Sequence, residues 1–207
     1  MTRRLFAALA ALVAVVTLAA CSAAAKPRPS DLNDVPSSGP YLGVGMLPPQ
    51  PRPSFTLTDT AGRAFSFGQA TSGHPTLVFF GYTQCPDVCP TTMADIRTAL
   101  SSLPVTEQQK VFVVFISTDV RHDTAAVVRT WLANFTAGVH ATFVGLIGSQ
   151  AQIDAAQAAA HITLATDGGQ THSARVLLYG ADNYARVSYL QSTNEAQAMA
   201  HDLPLVS

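Results

Sequence analysis

The sequence predicts an α/β domain built on a central mixed sheet flanked by helices, and three observations carry that prediction. Two nearly continuous apolar runs, PTLVFFGY from Pro75 to Tyr82 and VFVVFIST from Val111 to Thr118, suit strands that are covered on both faces. Each is followed by apolar residues at helical spacing, an alternation that favours a parallel core with helices on both sides. Two further strand-like runs near the C-terminus are joined by a short Asp/Asn turn, the chemistry of an antiparallel hairpin.

Taken in order, SFTLTDTAG from Ser54 alternates apolar Phe55 and Leu57 with polar neighbours and closes at Gly62, which reads as a strand entering a turn. The Pro75–Tyr82 strand leads into a helical pattern through MADIRTALSSL, and the Val111–Thr118 strand into a helix over Thr124 to Phe135. There Val127, Val128, Trp131, Leu132 and Phe135 share a face. After Gly138 come a short strand at TFVGLIG and an alanine-rich helix at SQAQIDAAQAAAH. The strand pair ARVLLYG and YARVSYL follows, turning at Ala181-Asp182-Asn183, and then the helix TNEAQAMAHDL with Thr193 or Asn194 as its cap. A sheet that ends in an antiparallel hairpin and a C-terminal helix is the thioredoxin arrangement. There is no internal repeat.

The N-terminus has a separate role. Arg3 and Arg4 precede an uncharged apolar run from Leu5 to Ala20, the pattern of a secretory signal covering residues 1–20. Leu18, Ala19 and Ala20 lead into Cys21, which resembles the lipobox of bacterial lipoproteins and implies a lipidated Cys21 at the membrane surface. Arg3-Arg4-Leu5-Phe6 also resembles a twin-arginine signal, and both export routes end outside the cytoplasm. Residues 21–53 are rich in Pro, Ser and Gly and lack an apolar period, so they read as a flexible tether. Residues 54–207, about 150 in number, suffice for one core and one domain. Removal of Arg3 and Arg4 with the signal takes 12 basic groups to 10 against 13 acidic ones, which leaves no basic patch for nucleic acid.

Two of the three cysteines fall together in GYTQCPDVCP, between the most apolar strand and the next helix, and ligands of α/β sheets collect at such strand ends. Cys85 and Cys89 are four apart, so on a single first helical turn their sulfurs share one face. The helix N-terminus favours thiolate over thiol, and a thiolate pair selects a soft cation such as Cu(I). A structural disulfide here closes a very small loop and stabilises little, whereas a redox pair and a metal pair both fit.

The longer stretch from Phe79 to Thr91, FFGYTQCPDVCPT, resembles the FGYTxCPDVCPT signature of the Sco (SenC/PrrC) family. Ile116 to Thr124, ISTDVRHDT, is similar to that family's ISxDPxxDT stretch, and His172-Ser173 to its DHS motif. The resemblance covers roughly residues 54 to 205. It implies a thioredoxin fold and a copper site, Cu(I) or Cu(II), made by Cys85, Cys89 and His172. It also implies a copper chaperone that supports assembly of the copper centre of cytochrome c oxidase, which the signal and the Cys21 lipobox would anchor to the membrane on its extracytoplasmic face. The partner is then the oxidase's copper-centre subunit or another copper donor or acceptor. A thiol-disulfide oxidoreductase acting through a Cys85–Cys89 disulfide is the alternative, although such enzymes usually space the pair as C-x-x-C.

Position agrees for His172, which opens the ARVLLYG strand after Asp167-Gly168-Gly169, while His122 reads as a polar partner for Asp119 or Asp123. Thr171 stands where the family has Asp, so the carboxylate that orients the imidazole is either missing or supplied from elsewhere, for example by Asp167. Val120 replaces a proline. Met93, one turn past Cys89, is a conceivable soft ligand on the same face but reads first as core filler, and Asp87 as either a helix-start carboxylate or a tuner of the thiolates.

Overall fold

Thr76–Gly81, the middle of the most apolar run, is buried at every position and lies inside the sheet as expected. The computed structural model describes residues 39–207. The strands in chain order are β1 (Val44–Pro51), β2 (Thr56–Asp59), β3 (Ala64–Ser66), β4 (Thr76–Gly81), β5 (Phe112–Ser117), β6 (Thr142–Ile147), β7 (Val176–Tyr179) and β8 (Tyr184–Tyr189). The helices are α1 (Phe67–Ala70), α2 (Val88–Ser101), α3 (Val105–Gln108), α4 (Ala125–Thr136), α5 (Gln150–Ala159) and α6 (Glu195–Asp202). All eight strands form one sheet in the order β1-β8-β7-β4-β5-β6-β2-β3. Strands β4, β5 and β6 are parallel, and the remaining pairings are antiparallel. The fold is thioredoxin-like.

Alternation along β4 divides the core. Leu77 and Phe79 pack with α2, α4 and α6 through Met93, Ile96, Leu132 and Met199, whereas Val78 and Phe80 pack with α1 and α5 through Phe67, Ile153 and Ala156. Side chains of successive strand residues point to opposite faces, so one apolar run serves both layers. Helix starts follow local chemistry. Thr124 accepts from the Val127 N–H, and Ser149 with Gln152 forms a full capping box. Asn194 holds the cap position of α6 without a side-chain bond. The hairpin turns where expected, with Asn183 at φ +67° and the Gly180 N–H bonded to the Tyr184 carbonyl.

The reading of residues 21–53 as tether is corrected at its end, because Val44–Pro51 is a strand of the sheet and order therefore begins ahead of Ser54. Three prolines disguise it. They are tolerated because β1 is an edge strand whose register against β8 breaks between Gly45 and Gln50. Arg52 locks the strand's end. Its guanidinium donates to Asn183 Oδ1, to the hydroxyls of Thr71 and Thr76 and to the carbonyls of His74 and Gly180, and it lies over the Phe67 and Tyr179 rings. At the other end the buried Asp202 carboxylate accepts from the N–H groups of Leu42 and Gly43 and from the Tyr189 hydroxyl.

Candidate metal centre

Strands β4 and β5 end side by side at Gly81 and Ser117, and the chain leaves Gly81 through a turn before α2 begins at Val88. Only Cys89 lies on the helix. Cys85 sits in the preceding turn and curls back, so that its Sγ accepts the Cys89 N–H at 3.4 Å. This satisfies one of the helix's free N–H groups, a task that Asp87 at the cap position does not perform with its side chain. The sulfurs thus meet by a turn folding over the helix start rather than by sharing a helical turn.

The two thiols occupy different environments. Burial pushes the Cys85 thiol up, but the N–H groups of Cys89 and Asp87 and the side chains of Cys89 and Tyr82 outweigh it, and the net shift is downward. Cys89 is 0% exposed, and burial drives its thiol well above the ordinary range, with the charges of Cys85 and Asp123 adding to the effect. Its sulfur packs so closely on the strand that a Cβ on Gly81 would stand 2.8 Å from it. Only glycine fits there.

His172 reaches the cysteines from the loop that precedes β7. The loop closes on itself through a bridge between Thr166 and Thr171, and it is strapped to the sheet by Thr118. The Thr118 hydroxyl lies 2.6 Å from the Gly169 carbonyl and 3.2 Å from the Gly81 carbonyl, joining the histidine loop to the cysteine strand. Gly169, at φ +97°, comes so close that a Cβ would lie 1.9 Å from the Thr118 carbonyl oxygen. The result places His172 Nε2 3.3 Å from Cys89 Sγ, while Nδ1 lies 3.0 Å from the Ser173 carbonyl. A carbonyl can only accept, so Nδ1 carries the proton and Nε2 offers its lone pair to the cysteines. The imidazole is oriented by this backbone carbonyl. Asp167, considered for that role, accepts instead from the Thr171 hydroxyl. Burial lowers the His172 pKa and keeps the ring neutral, and the Phe79 and Tyr82 rings meet it edge-on.

The ligand atoms of Cys85, Cys89 and His172 all lie within 4.8 Å of one another. Bonds of about 2.0 Å to imidazole and 2.3 Å to thiolate, as in zinc sites, allow one ion to reach such a set. Two sulfurs and one imidazole with no carboxylate are a donor set for a soft or borderline ion. Both thiols are free, and a cavity of about 350 Å³ lined by Tyr82, Cys85, Pro86, Val88 and His172 opens beside them. His122 is elsewhere, with Nδ1 2.8 Å from Asp119, and Met93 is core, 0% exposed. Cys21 and the signal lie outside the described residues.

Sequence reasoning missed the residues that hold the site together. Asp123 accepts from the Thr83 N–H and hydroxyl and from the Ser117 hydroxyl, stapling the cysteine turn to the end of β5. Gly81 and Gly169 act through close backbone approach, and Thr118 through its hydroxyl. The Gly168-Gly169 pair was the available signal, since paired glycines mark backbone that other residues cannot adopt.

The SCO1/SenC family model matches residues 47–205. Protein SenC of Rhodobacter capsulatus is 35% identical over 150 residues, covering 72% of this chain and 64% of SenC. A structure of Bradyrhizobium japonicum ScoI with copper bound superposes with a TM-score of 0.61 at 30% identity, covering 75% of this chain and 99% of that one. BsSco, described as a member of the Sco family of cytochrome c oxidase assembly proteins with a disulfide switch, aligns at TM-score 0.61 and 21% identity, covering 78% of this chain and 96% of that one. The matches span two thirds or less of the curated relatives' own length.

Proposed function

This chain belongs to the SCO1/SenC family, and from that premise we propose that it is a membrane-anchored, extracytoplasmic copper chaperone that holds its cargo between Cys85, Cys89 and His172. The observation that carries the reading is the convergence of these three ligand atoms within 4.8 Å. Cu(I) is satisfied by the two thiolates, while Cu(II) draws more on the imidazole, a borderline base. Cys85, partly exposed and shifted toward thiolate, is the first contact for incoming metal, and the neutral His172 completes the set without losing a proton. The recipient is the copper-centre subunit of cytochrome c oxidase, or another copper donor or acceptor. Anchoring rests on the Cys21 lipobox. Fatty-acid labelling that survives Cys21→Ser would remove that part of the proposal.

The test of the site is copper bound per reduced chain under a competing Cu(I) chelator. One equivalent is expected, and Cys85→Ser and Cys89→Ser each abolish it. Stoichiometric Cu(I) retained by either variant refutes the assignment.

The contrast between the two thiols favours a second role as a thiol-disulfide oxidoreductase. Cys85 thiolate attacks a client disulfide and forms a mixed disulfide. Cys89 gives up its proton, attacks Cys85 Sγ and releases the client as a dithiol, leaving Cys85–Cys89 oxidised by two electrons. Client reduction persisting in Cys85→Ser excludes this route.

A further inference from the structure

Tyr82 meets all three ligand residues. It follows β4 and is 8% exposed, with its ring in the cluster that holds Phe79, Cys89 and Met93. The ring meets the His172 imidazole edge-on, with centroids 5.5 Å apart and planes at 88°. Its backbone carbonyl accepts the Cys85 N–H at 3.4 Å, and its backbone N–H donates to the Cys89 sulfur. The side chain lines the cavity that Cys85 and His172 share, and there its phenol donates to the Cys85 sulfur.

A phenylalanine would fill the same place in the core, so packing does not account for the hydroxyl, and a buried hydroxyl costs stability unless it is bonded. A phenol keeps its proton at neutral pH and is a donor there, and burial moves the pKa of this one further up. The N–H groups of Cys89 and Asp87 also reach the Cys85 sulfur, but they are main chain and come with the helix start. The phenol is the donor that one choice of side chain adds. A hydrogen bond to a thiolate draws electron density from the sulfur, and bonds of this kind around a cysteine ligand set the potential of copper. Cu(II) takes more charge from a thiolate than Cu(I) does, so the donor disfavours Cu(II) more. It also favours reduced Cys85 over the disulfide, whose sulfur carries no charge and accepts more weakly.

We propose that Tyr82 is a positioning residue that tunes the cysteine pair, its hydroxyl on Cys85 biasing the site toward Cu(I) and toward the dithiol. The copper half of this inference rests on the function proposed above, whereas the dithiol half does not.

The test is Tyr82→Phe in the full-length chain, which keeps the ring against His172 and removes one donor. A hydrogen bond to a charged sulfur is worth about tenfold in an equilibrium. In the metal-free protein, equilibrated with a dithiol redox buffer, the Cys85–Cys89 disulfide should become about tenfold harder to reduce, which lowers its two-electron potential by about 30 mV. In the copper-loaded protein the one-electron Cu(II)/Cu(I) midpoint should fall by about 59 mV, again about tenfold. The thiolate-to-copper bands should move to longer wavelength, because the sulfur electrons are held less tightly. Tyr184→Phe, which changes an exposed tyrosine of the hairpin, should leave all three readings at their wild-type values. If Tyr82→Phe lowers the urea midpoint but leaves the disulfide potential unchanged, the hydroxyl is merely structural and the proposal is overturned. An unchanged copper midpoint in a loaded Tyr82→Phe protein overturns it as well. If the wild-type chain takes up no copper, the function proposed above falls on its own, and the disulfide potential then decides whether the phenol tunes the pair.

Discussion

Replacing Gly169 with alanine isolates the strap that delivers His172, because the residue has no side chain to offer a metal yet fixes where the loop lies. An alanine Cβ would meet the Thr118 carbonyl oxygen at 1.9 Å, and contacts under 3.0 Å are essentially never realised, so the backbones must separate by at least 1.1 Å. The oxygen belongs to main chain at the end of β5 and cannot swing aside as a side chain would. A positive φ adds about 1–2 kcal/mol for a residue with a Cβ. Losing the Thr118 hydroxyl bond to the Gly169 carbonyl adds about 1 kcal/mol. A cost of roughly 2–3 kcal/mol opens the loop about 30- to 150-fold more often and carries Nε2 out of its 3.3 Å contact with Cys89 Sγ. The loop is local, so the denaturation midpoint should move less than this cost suggests. The assay is a titration with Cu(II), read from the thiolate-to-copper visible bands, beside Cu(I) capture under a chelator. Gly169→Ala should weaken or lose the Cu(II) bands and retain much of the Cu(I). Wild-type Cu(II) bands in a folded Gly169→Ala protein would refute the argument that this contact positions His172.

Three further outcomes are expected. His172→Ala should lose the Cu(II) bands while keeping much of the Cu(I), and His122→Ala, whose ring is committed to Asp119, should keep both; the reverse pattern would show that the wrong histidine was chosen. Glu195 is 2% exposed with both carboxylate oxygens unpartnered, and burial, helped by the Asp95 charge, raises its pKa from 4.5 to about 7. The folded state therefore holds the proton more tightly than the unfolded state. This group's contribution to stability is full below pH 4.5 and is lost as pH rises through about 7. The total is between about 1 and 3 kcal/mol. Urea unfolding of Glu195→Gln should show that much of the pH slope removed, and an identical slope in variant and wild type would sink the assignment. Arg52→Met should cost about 2–4 kcal/mol by urea unfolding, since five hydrogen bonds are lost and several acceptors are left unmet. Arg52→Lys should recover little, because an ammonium cannot span the same fork.

The sequence by itself determined the layered fold and singled out the candidate ligands. Apolar runs such as Val111–Thr118 and spacings such as Val128, Leu132 and Phe135 are local signals, legible because burial on a strand or a helix face repeats with a fixed period. The cysteine pair and its neighbours form one contiguous motif, and the same holds for ISTDVRHDT. Residues 44–51 were not legible as a strand, because three prolines erase the local signal and only pairing with β8 at a sheet edge makes the conformation stable. Contacts between distant residues were equally hidden. That Cys89 and His172, 83 positions apart, meet at 3.3 Å depends on Thr118 bridging Gly81 and Gly169. That the imidazole leans on the Ser173 carbonyl rather than on Asp167 depends on the path of one loop. The opposite pKa shifts of Cys85 and Cys89 are also tertiary in origin, since two identical side chains four residues apart differ in burial and in which N–H groups reach them. Residue type sets what chemistry a side chain can perform, but burial, hydrogen-bond partners and separation are properties of the packed chain, and these decide which of the candidate groups act together.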